Sequence, residues 1–598
     1  MFDHPHFVSV QKFSRGPDPL GLQSSNMARY QSVFPGINNR ARYIRVYSTI
    51  CWMVRYIWNN LPEDADDDQI QSAFDFGLQK IQLLLIWENT RAEMPTLAGT
   101  DRQWPEEGVT EALTYRSMPT NEAAKKLHAD EGAEIAAGAT LLAPAEYRPS
   151  ITRGFGLLER WIGYDDVFDF TDEAVPLADA YEDHLQKLVS DGKLKPTQLK
   201  WLKSLDDNKI SSVKLDALWE ALRLDNPTRD EKDAFILRFY PSAEDAVLPT
   251  SDIIARCRGL TFALRALELE EKAAGVENAY VAADAVRHTM ARGHSAAGEF
   301  VPSEDLGETP LIWKNLQVRQ LLKLALETLL RVTEYTIHHT LASGYELNDD
   351  GRRVGAPRSI DAIAMRVGEL AAAQLEPHNH RPIEWFMHAI ERERGAHECL
   401  YSAGIDAAHL DIRRNLRELR KAAQFTTTKG SAGSAAGKAF YALLWCAVES
   451  AHMQLDSRNG DRPSLLDIRE VSLRSKSLEP TEYVALVVRD HVIAQLFDVA
   501  RERTETELAR GSAVVDRNRI VMGDGGLELN LASARALSDV SVLDDNLLHA
   551  LYFLAQAGFV RQNDKGDFQL TPAGRKRAAA KLPWQETSLV FEETSEPA

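Results

Sequence analysis

The stretch "PLIWKNLQVRQLLKLALETLLRVTEYTIHHTLA", residues 310–342, most constrains the fold. Its apolar residues return at helical spacing, and leucine, glutamate, arginine and alanine are good helix formers. The same pattern recurs in "DQIQSAFDFGLQKIQLLLIWENT" (68–90) and "AFYALLWCAVESAHMQL" (439–455). Strand signals are short and scarce. A mainly α protein is expected, and at roughly 100–200 residues per domain the 598 residues suggest three or four domains.

A second stretch, "FPGINNRARYIRVYSTICWMVRYIW" (34–58), alternates arginines with aromatic residues. From Ala41 to Trp58 apolar side chains occupy nearly every face of a helix: Tyr43, Tyr47, Ile50 and Val54 make one stripe, Ile44, Cys51 and Trp58 another. Such a helix is buried. Arg45 and Arg55 interrupt it, and about 20 apolar residues are needed to span a bilayer, so insertion is not expected. Arg40, Arg42 and Arg45 crowd its start, where the helix dipole disfavours cations without an acidic or phosphate partner. The expectation is a core helix whose arginines meet internal carboxylates. A phosphate or partner contact is the alternative.

Hydrophobic residues make up 44% of the chain, enough for sizeable cores. The formal charge of -19 repels nucleic acid and anionic membranes at long range, so any such contact needs a local basic patch. "MFDHPHFVSVQKFSRGPDPLG" lacks the layout of a secretory signal. Cys51, Cys257, Cys399 and Cys446 lie far apart with no CxxC pair, which argues for reduced thiols and against a cysteine zinc site. These features predict a soluble cytoplasmic protein with no membrane partner.

Connections are expected at "LPEDADDD" (61–68), at 92–120, at "GYELNDDGRRVGAPRS" (344–359) and at "FTTTKGSAGSAAGKAF" (425–440), the last small, polar and mobile. "LDDNLLHALYFLAQAGFVRQNDKGDFQLTPAGRKRAA" (543–579) orders a helix capped by Asp544 and closed by Gly558, a hairpin turning at "NDKG", and a helix capped by Thr571. Helix, hairpin and helix make the core of a winged-helix unit. "GFGLLERWIGYDDVFDFTDEAVPLADAY" (154–181) has a similar order. The expected layout is a helical domain at 1–190, with a second winged-helix-like unit at 151–185; a helical middle region at 191–480; a winged-helix-like domain at 481–585; and an acidic tail at 586–598.

Candidate sites are few. In "DIRRNLRELRKAAQF" (411–425), Ile412, Leu416, Leu419 and Ala423 form an inner stripe, while Arg413, Arg414, Arg417, Arg420 and Lys421 cover the opposite side. With Lys429 and Lys438, seven cations face two carboxylates over 411–438, a local +5. Arginine favours bidentate phosphate or carboxylate contacts. Arg575, Lys576 and Arg577 place a further basic helix beside the hairpin, where winged helices often meet DNA. "GSAGSAAGKAF" departs from a phosphate loop at Ala432 and Ala439, so nucleotide binding is rejected and no cofactor is expected.

Histidines crowd 378–409. Glu384 and His388 at i,i+4 are the metal-ligand alternative, with no matching second helix. Arg392 and His397 form R-x4-H, which resembles the catalytic motif of helical HEPN ribonucleases. There, such a pair would activate an RNA 2′-hydroxyl. Equivalent Arg–His spacings occur four times in the chain, the number expected by chance, and Gly395 weakens the helix between them.

The combination of "DPLG", "PGINNRARYIRVYSTICW", "YFLAQAGFV" and "LTPAGRKRAA" resembles a loosely characterised family of bacterial proteins encoded among phage-defence genes. The likeness covers about a fifth of the chain, at its two ends. It implies a non-enzymatic subunit of a defence complex, meeting DNA or a partner effector, and brings no catalytic residues with it. A nuclease or a purely structural adaptor are the alternatives.

Overall fold

The computed structural model describes residues 18–91, 133–134, 141–142 and 147–582. Within these it leaves out 39, 162, 165–166, 206–208, 211–217, 243–244, 246–249, 276–278, 296, 344–345, 348–352, 395–411, 426–427, 454–462, 510–518, 531–535, 541 and 543. The described residues are mainly helical, with five short two-stranded antiparallel hairpins or pairs.

The periodic 310–342 stretch forms one helix, Thr309–Ser343, of 35 residues. At 1.5 Å per residue it is about 50 Å long. This length lets it serve two hydrophobic cores. Trp313 and Leu316, near its start, belong to the first; Val318 to Ile337 belong to the second.

The first core surrounds helix Ile44–Asn60, whose residues 44–54 are all buried. Helices Asp67–Arg91, Val175–Ser190, Arg229–Phe239 and Ser251–Ala273 add to it. Tyr47 stands at its centre, with ring centroids 5.4 Å from Tyr147, 5.3 Å from both Phe155 and Phe235, and 6.0 Å from Phe553. Phe553 comes from helix Leu547–Gln556, far along the chain, so the C-terminal segment completes this core. The hairpin Val560–Gln562/Phe568–Leu570 follows it and bonds Val281 in both directions at 2.8 Å. Helix Pro572–Ala579, capped by Thr571, follows. Gly558 adopts φ +87° after Leu547–Gln556, the left-handed stop expected of a C-terminal glycine. The N-cap differs from expectation. Asn546, at φ 60°, holds that place, and the Asp544 carboxylate accepts the Asn546 N–H at 2.9 Å.

The second core pairs Thr309–Ser343 with Lys429–Ser450 and adds Ile360–Ala372, Ile383–Arg394, Ile412–Ala423, Leu465–Arg474 and Pro480–Val487. A π-turn, Val488–Ile493, and helix Ala494–Ala509 follow. Val540, and Ile520 and Leu527 from hairpin Ile520–Gly523/Gly526–Leu529, close one side. Residues 481–585 therefore feed both cores, 481–540 the second and 547–578 the first.

The expected mobile loop at 425–440 is a correction. Helix begins at Lys429, and Ala432, Gly433, Ala435, Ala436, Gly437 and Ala439 are buried. Neighbouring groups lie close to two of its glycines: a Cβ at Gly437 would stand 2.8 Å from the Gln374 Cβ, and one at Gly433 would stand 3.1 Å from the Leu370 carbonyl oxygen. Between 154 and 181 the expected leading helix is one π-turn, Ser150–Gly154, before the pair Leu158–Arg160/Phe168–Phe170 and helix Val175–Ser190. No helix among the described residues is long and apolar enough to cross a membrane. Cys51, Cys257 and Cys446 are buried free thiols; Cys399 lies outside the described residues.

Candidate nucleic-acid interface

Helix Ile412–Ala423 is sharply two-faced. Leu416, Leu419 and Ala423 are buried against the second core. Arg414, Arg417, Arg420 and Lys421 are exposed on the other side, and Lys429 stands exposed at the start of the next helix. The side chain of Arg413 is outside the described atoms. The C-terminal end is anchored: Arg331 donates to the Phe425 carbonyl at 3.0 Å and Gln424 to that of Val540. The cations thus ride on a fixed helix.

A carboxylate on the same helix answers part of this charge. Glu418 accepts from Arg414 at 3.2 Å and lies 3.6 Å from the Lys438 ammonium. Partial burial works against its charged form, yet these two cations hold its carboxyl below the usual range. From 412 to 424 five basic residues stand against this one acid.

The C-terminal basic residues are placed differently. Arg575 donates to Glu271 at 2.5 Å, and Glu271 also accepts the Leu570 N–H at 2.5 Å. Arg577 donates to the Tyr240 and Pro241 carbonyls at 2.7 and 3.2 Å and stacks on the Tyr240 ring, 4.6 Å from its centre. Both guanidiniums hold the final helix to the first core. Lys576 is exposed.

Glu384 and His388 share helix Ile383–Arg394, with Oε1 and Nε2 3.9 Å apart, both largely exposed. Lys476 approaches the same Glu384 oxygen at 3.8 Å. Among the described residues no group of three or more His, Cys, Asp or Glu is arranged to hold a metal ion. Arg392 is exposed near the end of that helix; His397 lies outside the described residues.

Of the arginines in the 34–58 stretch, Arg45 turns inward to a buried carboxylate, while Arg55 pairs with a carboxylate at the surface. Arg45, fully buried, meets Glu231 at 2.6 Å, and Arg55 meets Asp179 at 2.5 Å. Arg42 lies over the Tyr552 ring at 5.2 Å. Trp52 donates from Nε1 to Glu182 at 2.5 Å. Sequence reasoning missed a related device at Arg256. It is fully buried and donates to the Phe239, Pro35, Gly154 and Arg238 carbonyls at 3.0, 2.6, 3.1 and 2.6 Å. Burial pushes its pKa down to about 10. Arg238 and Phe239 end a helix, so the cation sits at the negative end of a dipole. No local pattern marks it, because its partners come from three separate parts of the chain.

No family model matches the chain, and no curated protein or solved structure matches it at a significant level.

Proposed function

We propose that the chain is a non-enzymatic subunit of a bacterial anti-phage complex, and that helix Ile412–Ala423 is its contact for DNA or a partner effector. The observation that carries this reading is the exposed row Arg414, Arg417, Arg420 and Lys421 on a chain of net charge -19. Guanidinium and ammonium groups grip phosphates and carboxylates, and near neutral pH they exchange no protons. That suits binding rather than chemistry. The defence setting rests on the resemblance of the two chain ends.

The 547–579 segment keeps the helix–hairpin–helix order of a winged helix, which supports a winged-helix-like unit there. Its inward-turned Arg575 and Arg577 support a packing role for it, with ligand contact made elsewhere.

Titration of labelled DNA with the wild-type chain and with an Arg417→Glu/Arg420→Glu/Lys421→Glu variant tests the reading. Affinity should fall at least about tenfold in the variant, because the lost phosphate contacts are electrostatic. The same variant should lose capture of proteins encoded beside the gene. Unchanged DNA affinity together with unchanged capture would refute it.

A further inference from the structure

Resting on that reading, we infer that the occupant of the Ile412–Ala423 face is the backbone of double-stranded nucleic acid. The cations Arg414, Arg417 and Lys421 follow one another at about one helical turn, and Arg420 fills the row. From 414 to 421 the helix rises about 10 Å, the axial length of about three phosphates on one duplex strand. The row is held rigid by its buried stripe and its anchored end, so little ordering is left for binding.

The composition of the face separates the candidate occupants. Proteins that hold single strands add aromatic platforms, on which each stacked base contributes about 1–3 kcal/mol. Residues 412–438 contain one aromatic residue, Phe425, and it is buried, edge-on to the buried Tyr335 at 6.0 Å. A single strand would therefore find charge without stacking. A duplex presents about one charge per 1.7 Å of axis, so a row of four cations with one carboxylate, Glu418, beside it gains more from a duplex than from a single strand. A polypeptide partner would be expected to meet a patch centre that is apolar and depleted of charge. The exposed side chains here are Arg414, Arg417, Arg420, Lys421 and Gln424, with Glu418 partly exposed beside Arg414, and the apolar Leu416 and Leu419 point into the core.

The test uses the full chain with three labelled probes: a duplex of about 20 base pairs, one of its strands alone, and a poly-glutamate peptide of similar charge. The duplex should bind at least about tenfold more tightly than the strand. Its affinity should drop about a hundredfold as salt rises from about 50 to about 200 mM, as for about four neutralised phosphates. The Arg417→Glu/Arg420→Glu/Lys421→Glu variant should lose duplex binding while its circular dichroism melt stays that of wild type. Arg420→Gln alone supplies a milder variant, with a smaller loss and a shallower salt slope. Equal or tighter binding of the single strand, lost in the same variant, would overturn the duplex assignment and leave the face as a DNA contact. Peptide binding without DNA binding would overturn it in favour of an acidic partner. No binding of any probe at low salt would overturn both the assignment and the nucleic-acid reading.

Discussion

Arg45 and Glu231 show what a buried charge demands. Both side chains are fully buried, joined at 2.6 Å. Ser48 and the Thr228 N–H add bonds to the carboxylate at 2.6 and 2.7 Å, and the Asn226 carbonyl accepts from Arg45 at 2.9 Å. Removing one partner strands the other, at a cost of about 3–5 kcal/mol, whereas replacing both by apolar groups costs far less. Arg45→Met and Glu231→Gln should each lower unfolding free energy by that amount in denaturant titrations, and Arg45→Met/Glu231→Met by less than the sum. Strictly additive losses would mean that the pair does not act as one. The pair also sets an acid response. Burial favours the neutral acid, but Arg45 and the hydrogen bonds hold the Glu231 carboxyl below its ordinary value of 4.5. A depressed value stabilises the fold above the unfolded value, and that contribution is lost as pH falls through the folded one. The stability gap between wild type and Glu231→Gln should be constant near neutral pH and shrink below about pH 4.5. A gap that widens on acidification would mean that folding raises this carboxyl's pKa instead of lowering it.

At the scale of elements, two glycines with opposite surroundings separate propensity from packing. Gly368, inside helix Ile360–Ala372, leaves no room: a Cβ there would collide with the Thr481 carbonyl oxygen of the neighbouring helix. Gly430, in the first turn of Lys429–Ser450, has open space around it. Helix propensity alone favours alanine over glycine by about 1 kcal/mol at either place. Overpacking costs about 1–3 kcal/mol. Gly368→Ala should therefore lower the melting temperature, while Gly430→Ala should leave it unchanged or raise it. A stabilised Gly368→Ala would show that the two helices can part freely. The same glycines explain which elements were legible in the sequence. Helices Thr309–Ser343 and Ile44–Asn60 announce themselves because large apolar residues mark their buried faces. The helix at 429–438 does not, because its buried face is made of alanine and glycine, the composition of a flexible linker. The cationic row was legible for the opposite reason: Leu416 and Leu419 mark the inner face, so the arginines must lie outside. Arg575 and Arg577 carried no such mark. Only the fold shows that Glu271 and the end of helix Arg229–Phe239 wait for them.

At the scale of the molecule, the chain closes on itself. Helix Thr309–Ser343 carries one core at each end, and the segment 547–578 returns to the first core after 481–540 has served the second. Phe553 rests against Tyr47, Phe155, Phe235 and Phe239, so the centre of the N-terminal core is built partly from the C-terminal end. Arg265 ties the same end down, donating to Asp305 at 2.5 and 2.9 Å and to the Ala578 and Ala580 carbonyls at 2.9 and 3.0 Å. A small module on a linker could be removed without harm. The segment 547–579 cannot, since burial of large aromatic side chains contributes about 3–5 kcal/mol each and domain stabilities are only about 5–15 kcal/mol. A chain ending at residue 540 should therefore lose amide protection throughout Ile44–Asn60, and limited proteolysis should cut its N-terminal half first. Helices Lys429–Ser450 and Pro480–Val487, whose buried apolar residues lie in the second core, should keep their protection longer. Hydrogen exchange on the truncated and full chains compares these regions directly. Undiminished protection of Ile44–Asn60 after truncation would mean that the first core stands without its C-terminal part, and that the unit at 547–579 is free to serve another purpose.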